Sequence, residues 1–405
     1  LSQYETSYKQ LTESRGASYT VPKHHNVELL NETVSKYTPL LFYHHSNDSL
    51  HCWFFKSSGS PIYSFSLISK EQLFDLEKDF KASFGIYIEA NNRGANLVYG
   101  NTEIGNEINK KAVDALLPGE IKQHVKEAEY ITILPILNLS SFPYYLLQID
   151  NKYLIDYVCI NFAQSLADFT KKAQDFRDLY INYRSAAWEF NPLSPLIVGN
   201  PKTGKECENQ FIVLPGAEKE AKDVATLLHS SPLLGSNANR KNILNKIGQA
   251  DLVYFATHGI ADVDYPMDSS FLLIAADSNG NCDYLTSREI QKLNLYEDIV
   301  ILSACQSGLG KSFDAGTVGL ARAFLIAGAW NAIMSLWNLN DLATVELMNM
   351  FMEELFKPTK FFPSQNLRNA MLRYRETNPD PKYWGSFVSF GSPYPTYITM
   401  NLIVK

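Results

Sequence analysis

Two apolar runs in the second half of the chain limit what it can fold into. DLVYFATHG delivers His258 and Gly259, and DIVILSACQSG delivers Cys305; each is a continuous apolar stretch closed by small residues. A run of that length between turn residues reads as a strand buried on both faces, the signature of a parallel sheet covered by helices. The surrounding text alternates in the same way: PLIVGN, GAEKEAKDVATLL, ANRKNILNKIG, then FLLIA, LTSREIQKL, GTVGLARAFLIAGA, NAIMSLW and LATVELMNMFMEELF. Strands alternating with helical patterns of about 10–15 residues specify βαβ units. The expected class is therefore α/β, a doubly wound, mostly parallel sheet with flanking helices.

The first half has a different texture. LLFYHH, SLHCWFFK and IYSFSLI are short aromatic-rich segments separated by SND and SSGSP turns, the pattern of an antiparallel meander. EQLFDLEKDFKASF and NEINKKAVDALL carry apolar residues at helical spacing, and YITILPIL, YYLLQI and KYLIDYVCI read as further strands. Asn191, Pro192, Ser194 and Pro195 mark a boundary. The chain thus divides into a polar arm at 1–36, a first half at 37–185 and a second half at 190–405.

Composition excludes several functions. A net charge of −7 is the wrong sign for nonspecific nucleic-acid binding. No apolar stretch approaches the roughly 20 residues of a membrane helix, and no secretory signal opens the chain. The first residue is Leu1, as expected of a fragment of a longer protein. Cys52, Cys159, Cys207, Cys282 and Cys305 are scattered, without a C-x-x-C pair. They predict no disulfide framework and suit a reducing cytoplasm. His24-His25 and His44-His45 are adjacent pairs; neighbours on a strand point to opposite faces, so neither pair predicts a metal site. No cofactor is expected.

In an open parallel sheet, reactive groups collect beyond the carboxyl ends of the strands. His258 and Cys305 both stand at such ends, 47 residues apart, room enough for the connection between neighbouring parallel strands. A thiol attacks a carbonyl only as thiolate, and so needs a base within reach. His258 and Cys305 together supply that dyad. The backbone N–H groups of Gly259 and Cys305 are the candidates to receive a developing oxyanion; a turn with positive φ is the plainer reason for Gly259. GLGKS, at 308–312, resembles the end of a phosphate loop, but Cys305 stands where its first glycine belongs. The next helix is expected to start near Asp314, which leaves Lys311 away from a helix N-terminus.

ATHG, SACQSGLGK, GLARAFLIAGA and SLWNLND, in that order, resemble the CHAT domain, a caspase-like peptidase module of bacteria. YLIDYVCINFAQSLADF, PLIVGNP, LPGAEKEAKDVATLL and YWGSFVSFG extend the resemblance to roughly Lys36–Gly391. It implies the clan of caspases, separases and gingipains, with His258 as general base and acid and Cys305 as nucleophile. It implies that residues 37–185 form a non-catalytic, degenerate caspase-like half and 190–405 the catalytic one. It also implies tetratricopeptide repeats upstream, of which 1–36 would be a remnant, a cytoplasmic setting, and a dedicated protein substrate in a defence or programmed-death circuit. Two departures stand out: DAGTVGL has Ala315 where members carry an acidic residue, and ILPILNLSSFPYYLL lacks the Asp-Gly that follows this strand.

The pocket for the residue before the cut is read from Asp341, Asp262, Gln306 and Trp337. Asp341 either holds a basic side chain, as a similar stretch does in separases, or is, like Asn340, a candidate to cap the helix that follows. Asp262 and Asp264 offer the same charge or belong to a solvated loop. Gln306 adjoins the nucleophile, and Trp337 is a pocket wall or a core residue. Arg288 lies too far from either motif to be given a role. An activating partner, such as a repeat region, is expected to order the loops after His258 and Cys305. The alternative to a peptidase is a catalytically silent scaffold that binds a partner protein. A small-ester hydrolase would need a G-x-[SC]-x-G elbow, which Ala304-Cys305-Gln306 does not supply.

Overall fold

The computed structural model describes residues 39–56, 59–86, 102–172, 174, 194–208, 210–211, 214–260, 262, 267–295, 299–304, 311–313, 316–337, 341–357 and 362–393. The meander is β1 (Leu40–Ser46), β2 (Ser49–Phe55) and β3 (Ile62–Leu67), antiparallel throughout. Asn47 and Asp48 close its first hairpin with φ of 50° and 52°, the left-handed pair that a two-residue hairpin turn needs. A helix, Lys70–Ser83, starts under a capping box: Gln72 N–H donates to Ser69 Oγ, and Ser69 N–H donates back to Gln72 Oε1. Helices Thr102–Leu116 and Ile121–Glu127 follow.

β4 (Tyr130–Leu134) forms where YITILPIL predicts it. The next two apolar segments depart from expectation. Tyr144–Leu146 is a buried 3-10 turn, and only Gln148–Ile149 (β5) and Lys152–Tyr153 (β6) pair, as a two-residue ladder outside the main sheet. Leu154–Tyr157 turns helical, and β7 (Cys159–Phe162) alone joins the main sheet. A short apolar run reports burial, not the backbone that achieves it.

The second half supplies β8 (Pro195–Pro201), β9 (Leu233–Gly235), β10 (Leu252–Thr257), β11 (Gly259–Ile260), β12 (Phe271–Ile274), β13 (Asp283–Thr286), β14 (Ile299–Ala304), β15 (Lys311–Phe313), β16 (Gly316–Val318), β17 (Asn331–Ser335) and β18 (Phe387–Gly391). Eleven described strands make one sheet in the order β3-β2-β1-β4-β7-β18-β17-β14-β10-β8-β9. It is parallel except at the β1–β3 meander and at β17–β18. β10 and every described side chain of β14 are buried, which is why both read as unbroken apolar runs.

The two halves meet where β7 lies beside β18. The Phe162 and Phe390 rings stack there at 5.0 Å, Asn161 Nδ2 donates to the Gly391 carbonyl, and Ser389 Oγ donates to Asn161 Oδ1. A helix at Pro363–Thr377 reinforces the seam: Arg368 donates to the Ile155 and Asp156 carbonyls, and Arg375 pairs with the Asp156 carboxylate. In the second half, helix Pro215–Leu227 lies so close on β8 that a Cβ at Gly199 would stand 2.4 Å from Ala221 Cβ. No described helix is long and apolar enough to cross a membrane.

The cysteines depart from the expectation of no disulfide framework by one bond. Cys207 and Cys282, 75 residues apart in sequence, form a disulfide. Cys52 and Cys159 are buried free thiols. Burial pushes the Cys159 thiol up to about 11 and the Cys52 thiol higher still, so neither forms a thiolate readily.

Candidate active site

β10 and β14 are parallel neighbours in register from Leu252↔Ile299 to Thr257↔Ala304. His258 therefore leaves the sheet directly after the residue paired with Ala304. Cys305 and Gln306 lie outside the described residues. The main chain around His258 is tied to β12. Thr257 Oγ1 donates to the Leu273 carbonyl at 2.8 Å, and Leu273 N–H donates to the His258 carbonyl at 2.9 Å. Beyond it, Asp262 N–H donates to Ser270 Oγ at 2.8 Å.

Gly259 is in extended β11, not in a left-handed turn, so positive φ is not what requires glycine there. The Leu273-to-His258 bond makes Gly259–Leu272 the non-hydrogen-bonded pair of the β11–β12 ladder, which directs the Gly259 N–H away from β12. The half-buried imidazole of His258 lies against the ring of Phe211, with centroids 5.2 Å apart and planes at 50°. Phe211 in turn meets Phe271 edge-on at 6.4 Å, and Phe271 packs on Tyr284 at 4.5 Å. Phe211 was not legible as a neighbour of His258: it lies 47 residues upstream, in text with no motif.

Asp341 is the first residue of helix Asp341–Leu355; its side chain lies outside the described residues, as do Asn340 and Asp264. Trp337 is buried in the core, its indole N–H donating to the Lys382 carbonyl at 2.9 Å. Arg288 is held at the surface by Asp268. His44 and His45 diverge across β1, His44 exposed and His45 bonded to the Ile68 carbonyl at 2.8 Å. Of the phosphate-loop lookalike, Lys311–Phe313 is a strand paired with Gly316–Val318, and the helix begins only at Leu320, later than Asp314. Lys311 thus lacks the helix N-terminus that a phosphate loop provides.

The family model of the CHAT domain matches residues 106–392. Among curated proteins, tetratricopeptide repeat protein 28 of Mus musculus is 26% identical over 235 residues, covering 48% of this chain and 9% of that protein. Its Homo sapiens counterpart is 24% identical over 233 residues, with the same coverage. The chain thus matches about a tenth of the length of these relatives. Among solved structures, the Saccharomyces cerevisiae separase–securin complex aligns with 91% of this chain and 30% of its own, at a TM-score of 0.54 and 11% identity. The Arg-specific cysteine proteinase gingipain R aligns with 81% of this chain and 76% of its own, at a TM-score of 0.44 and 15% identity. The separase likeness is one of fold, and it takes in both halves of the sheet. The architecture is the caspase-like α/β sheet, and the chain belongs to the CHAT-domain family.

Proposed function

We propose that the chain is a cysteine endopeptidase that cuts a partner protein with His258 and Cys305. The observation that carries this reading is the pairing of Thr257 with Ala304. The two reactive residues are the next ones along adjacent parallel strands, beyond the carboxyl ends where such folds gather their chemistry. In this reading, neighbouring strands about 4.8 Å apart let a thiol and an imidazole that follow them reach one another.

In this reading the Cys305 thiol gives its proton to the His258 imidazole, and the thiolate attacks the scissile carbonyl carbon. The C–N bond breaks as the imidazolium returns the proton to the leaving amine. Water, deprotonated by His258, then hydrolyses the thioester and frees the thiol. The Gly259 N–H, directed away from β12, and the Cys305 N–H receive the oxyanion. Asp341 and Asp262 supply negative charge for a basic residue before the cut, with Gln306 beside it. Residues 37–185 act as the non-catalytic half and 190–405 as the catalytic one. A partner protein gates the enzyme, in a defence or programmed-death circuit. The repeat-protein names of the curated relatives, and the complex in which separase was solved, support work beside other protein modules.

The test compares wild type with Cys305→Ala on a diverse peptide library, reading new N-termini by mass spectrometry. Cuts made only by wild type support the peptidase, and the residue before them assigns Asp341. No cuts, with Cys305 alkylated rapidly near neutral pH, identify a latent enzyme awaiting its partner. No cuts with an unreactive Cys305 leave the scaffold, and the peptidase reading fails.

A further inference from the structure

The disulfide and the ring against His258 belong to one short segment. Cys207 sits in the helical turn Lys205–Glu208, and Phe211 N–H donates to the Cys207 carbonyl at 2.8 Å, so Phe211 is fixed one turn beyond the sulfur. Cys282 sits in the turn that joins β12 to β13. The segment lies tightly along that turn: Ala276 N–H donates to the Lys202 carbonyl at 3.0 Å, and a Cβ at Gly204 would stand 2.5 Å from the Asn281 carbonyl carbon. β12 is also the strand that holds the His258 main chain. The cross-link therefore fastens the part that carries Phe211 to the part that carries His258. Cys207 is 1% exposed and its partner Cys282 is half-buried, so Cys282 is the more open residue of the pair.

We propose that Phe211 is a positioning residue for the His258 imidazole, and that the Cys207–Cys282 pair makes this positioning depend on thiol redox state. The proposal rests on the reading of His258 as catalytic base. In the oxidised form the ring is held against the imidazole and limits its rotation. Reduction breaks the S–S bond: two electrons and two protons from a dithiol reductant yield two thiols, and the reductant becomes a cyclic disulfide. The reverse step passes the two electrons to a low-molecular-weight disulfide such as glutathione disulfide. With the link open, only hydrogen bonds and packing hold the Phe211 turn, and the imidazole gains freedom to leave the geometry the dyad needs. Misplacement of a catalytic group by about 1 Å is enough to cost a hundredfold in rate.

The experiment reads His258 directly, so that it stands apart from the peptidase question. The full chain, labelled with 13C-histidine and assigned through His258→Gln, is followed by NMR with and without dithiothreitol. Phe211→Leu, which keeps bulk but removes the ring, should shift the His258 Cε1–H signal and its titration midpoint. Reduction of wild type should move both in the same direction, and Cys207→Ser should start there and not respond to the reductant. Phe211→Tyr should restore the wild-type response. Peptide cleavage, where it occurs, should fall about ten- to a hundredfold in kcat on reduction, with little change in KM. His258 signals indifferent to both Phe211→Leu and reduction would overturn the proposal, as would alkylation mapping that finds Cys207 and Cys282 free after treatment with glutathione disulfide. Absence of cleavage with the NMR response intact would count against the peptidase alone.

Discussion

Thr257 is the residue through which the strand end and the His258 turn are joined, and its replacement by Val tests that joint. The side chain is 1% exposed, and its hydroxyl donates to the Leu273 carbonyl at 2.8 Å. Valine keeps the shape and removes the donor, leaving a buried carbonyl short of a hydrogen bond, at a cost of about 1–3 kcal/mol. With a urea slope of roughly 3 kcal/mol per molar, the unfolding midpoint should fall by about 0.3–1 M. Thr257→Ser keeps the donor and loses one methyl group, so it too is destabilising, by about 0.8 kcal/mol. Stability alone does not separate the two variants; local exchange does. Leu273 N–H donates to the His258 carbonyl, so loosening this crossing should speed amide exchange at Leu273 in the Val variant. Exchange in β14 should stay at the rate set by the global midpoint, and the Ser variant should keep slow exchange at Leu273. A Val variant with wild-type midpoint and wild-type Leu273 exchange would refute the reasoning, because the hydroxyl would then contribute nothing to holding the turn.

Gly199→Ala should destabilise by about 1–3 kcal/mol, because the new Cβ meets Ala221 Cβ at 2.4 Å and the Ala217 backbone oxygen at 3.0 Å, forcing strand and helix apart; an unchanged denaturation midpoint contradicts the packing. Glu289 makes stability fall with acid. Burial pushes its carboxyl up, but the Thr286 N–H and hydroxyl and the Arg240 guanidinium more than offset this, and the folded value ends below the ordinary one. Its contribution is therefore complete above the unfolded pKa of about 4.3 and is lost as pH falls through the lower folded value. The midpoint gap between wild type and Glu289→Gln should be constant near neutrality and close in acid; a gap that widens in acid reverses the sign and sinks the assignment.

Much of the fold was legible because the signals are local. The period-2 aromatic segments and the Asn47-Asp48 turn specify β1 and β2, and doubly buried runs specify β10 and β14. The strand ends that carry His258 and Cys305 came from the same local text. Their adjacency was expected only from the 47-residue gap; three strands intervene in the chain between β10 and β14, and the sheet order, not the local text, makes the two neighbours. The Cys207–Cys282 bond and the Phe211–His258 contact are hidden for the same reason: spacing carries no sign of which loops fold back together. Helix Pro363–Thr377 is a different case. Leu367, Ala370, Met371 and Tyr374 fall at helical spacing and are buried, so a signal was present.

The strand after that helix has a consequence for how the halves depend on each other. β18 runs antiparallel to β17 on one side and parallel to β7 on the other. It is the last described strand of the chain, yet it occupies the middle of the sheet. Separating the first half would strip β18 of its β7 neighbour, break the Phe162–Phe390 stack and leave Asn161 without Gly391 and Ser389. β18 would then offer an open apolar edge one strand from β17, which is itself the partner of β14. The half without the His and Cys motifs thus closes the sheet on which those motifs stand. Its aromatic and polar contacts across the seam give a physical reason for the two to persist as one body.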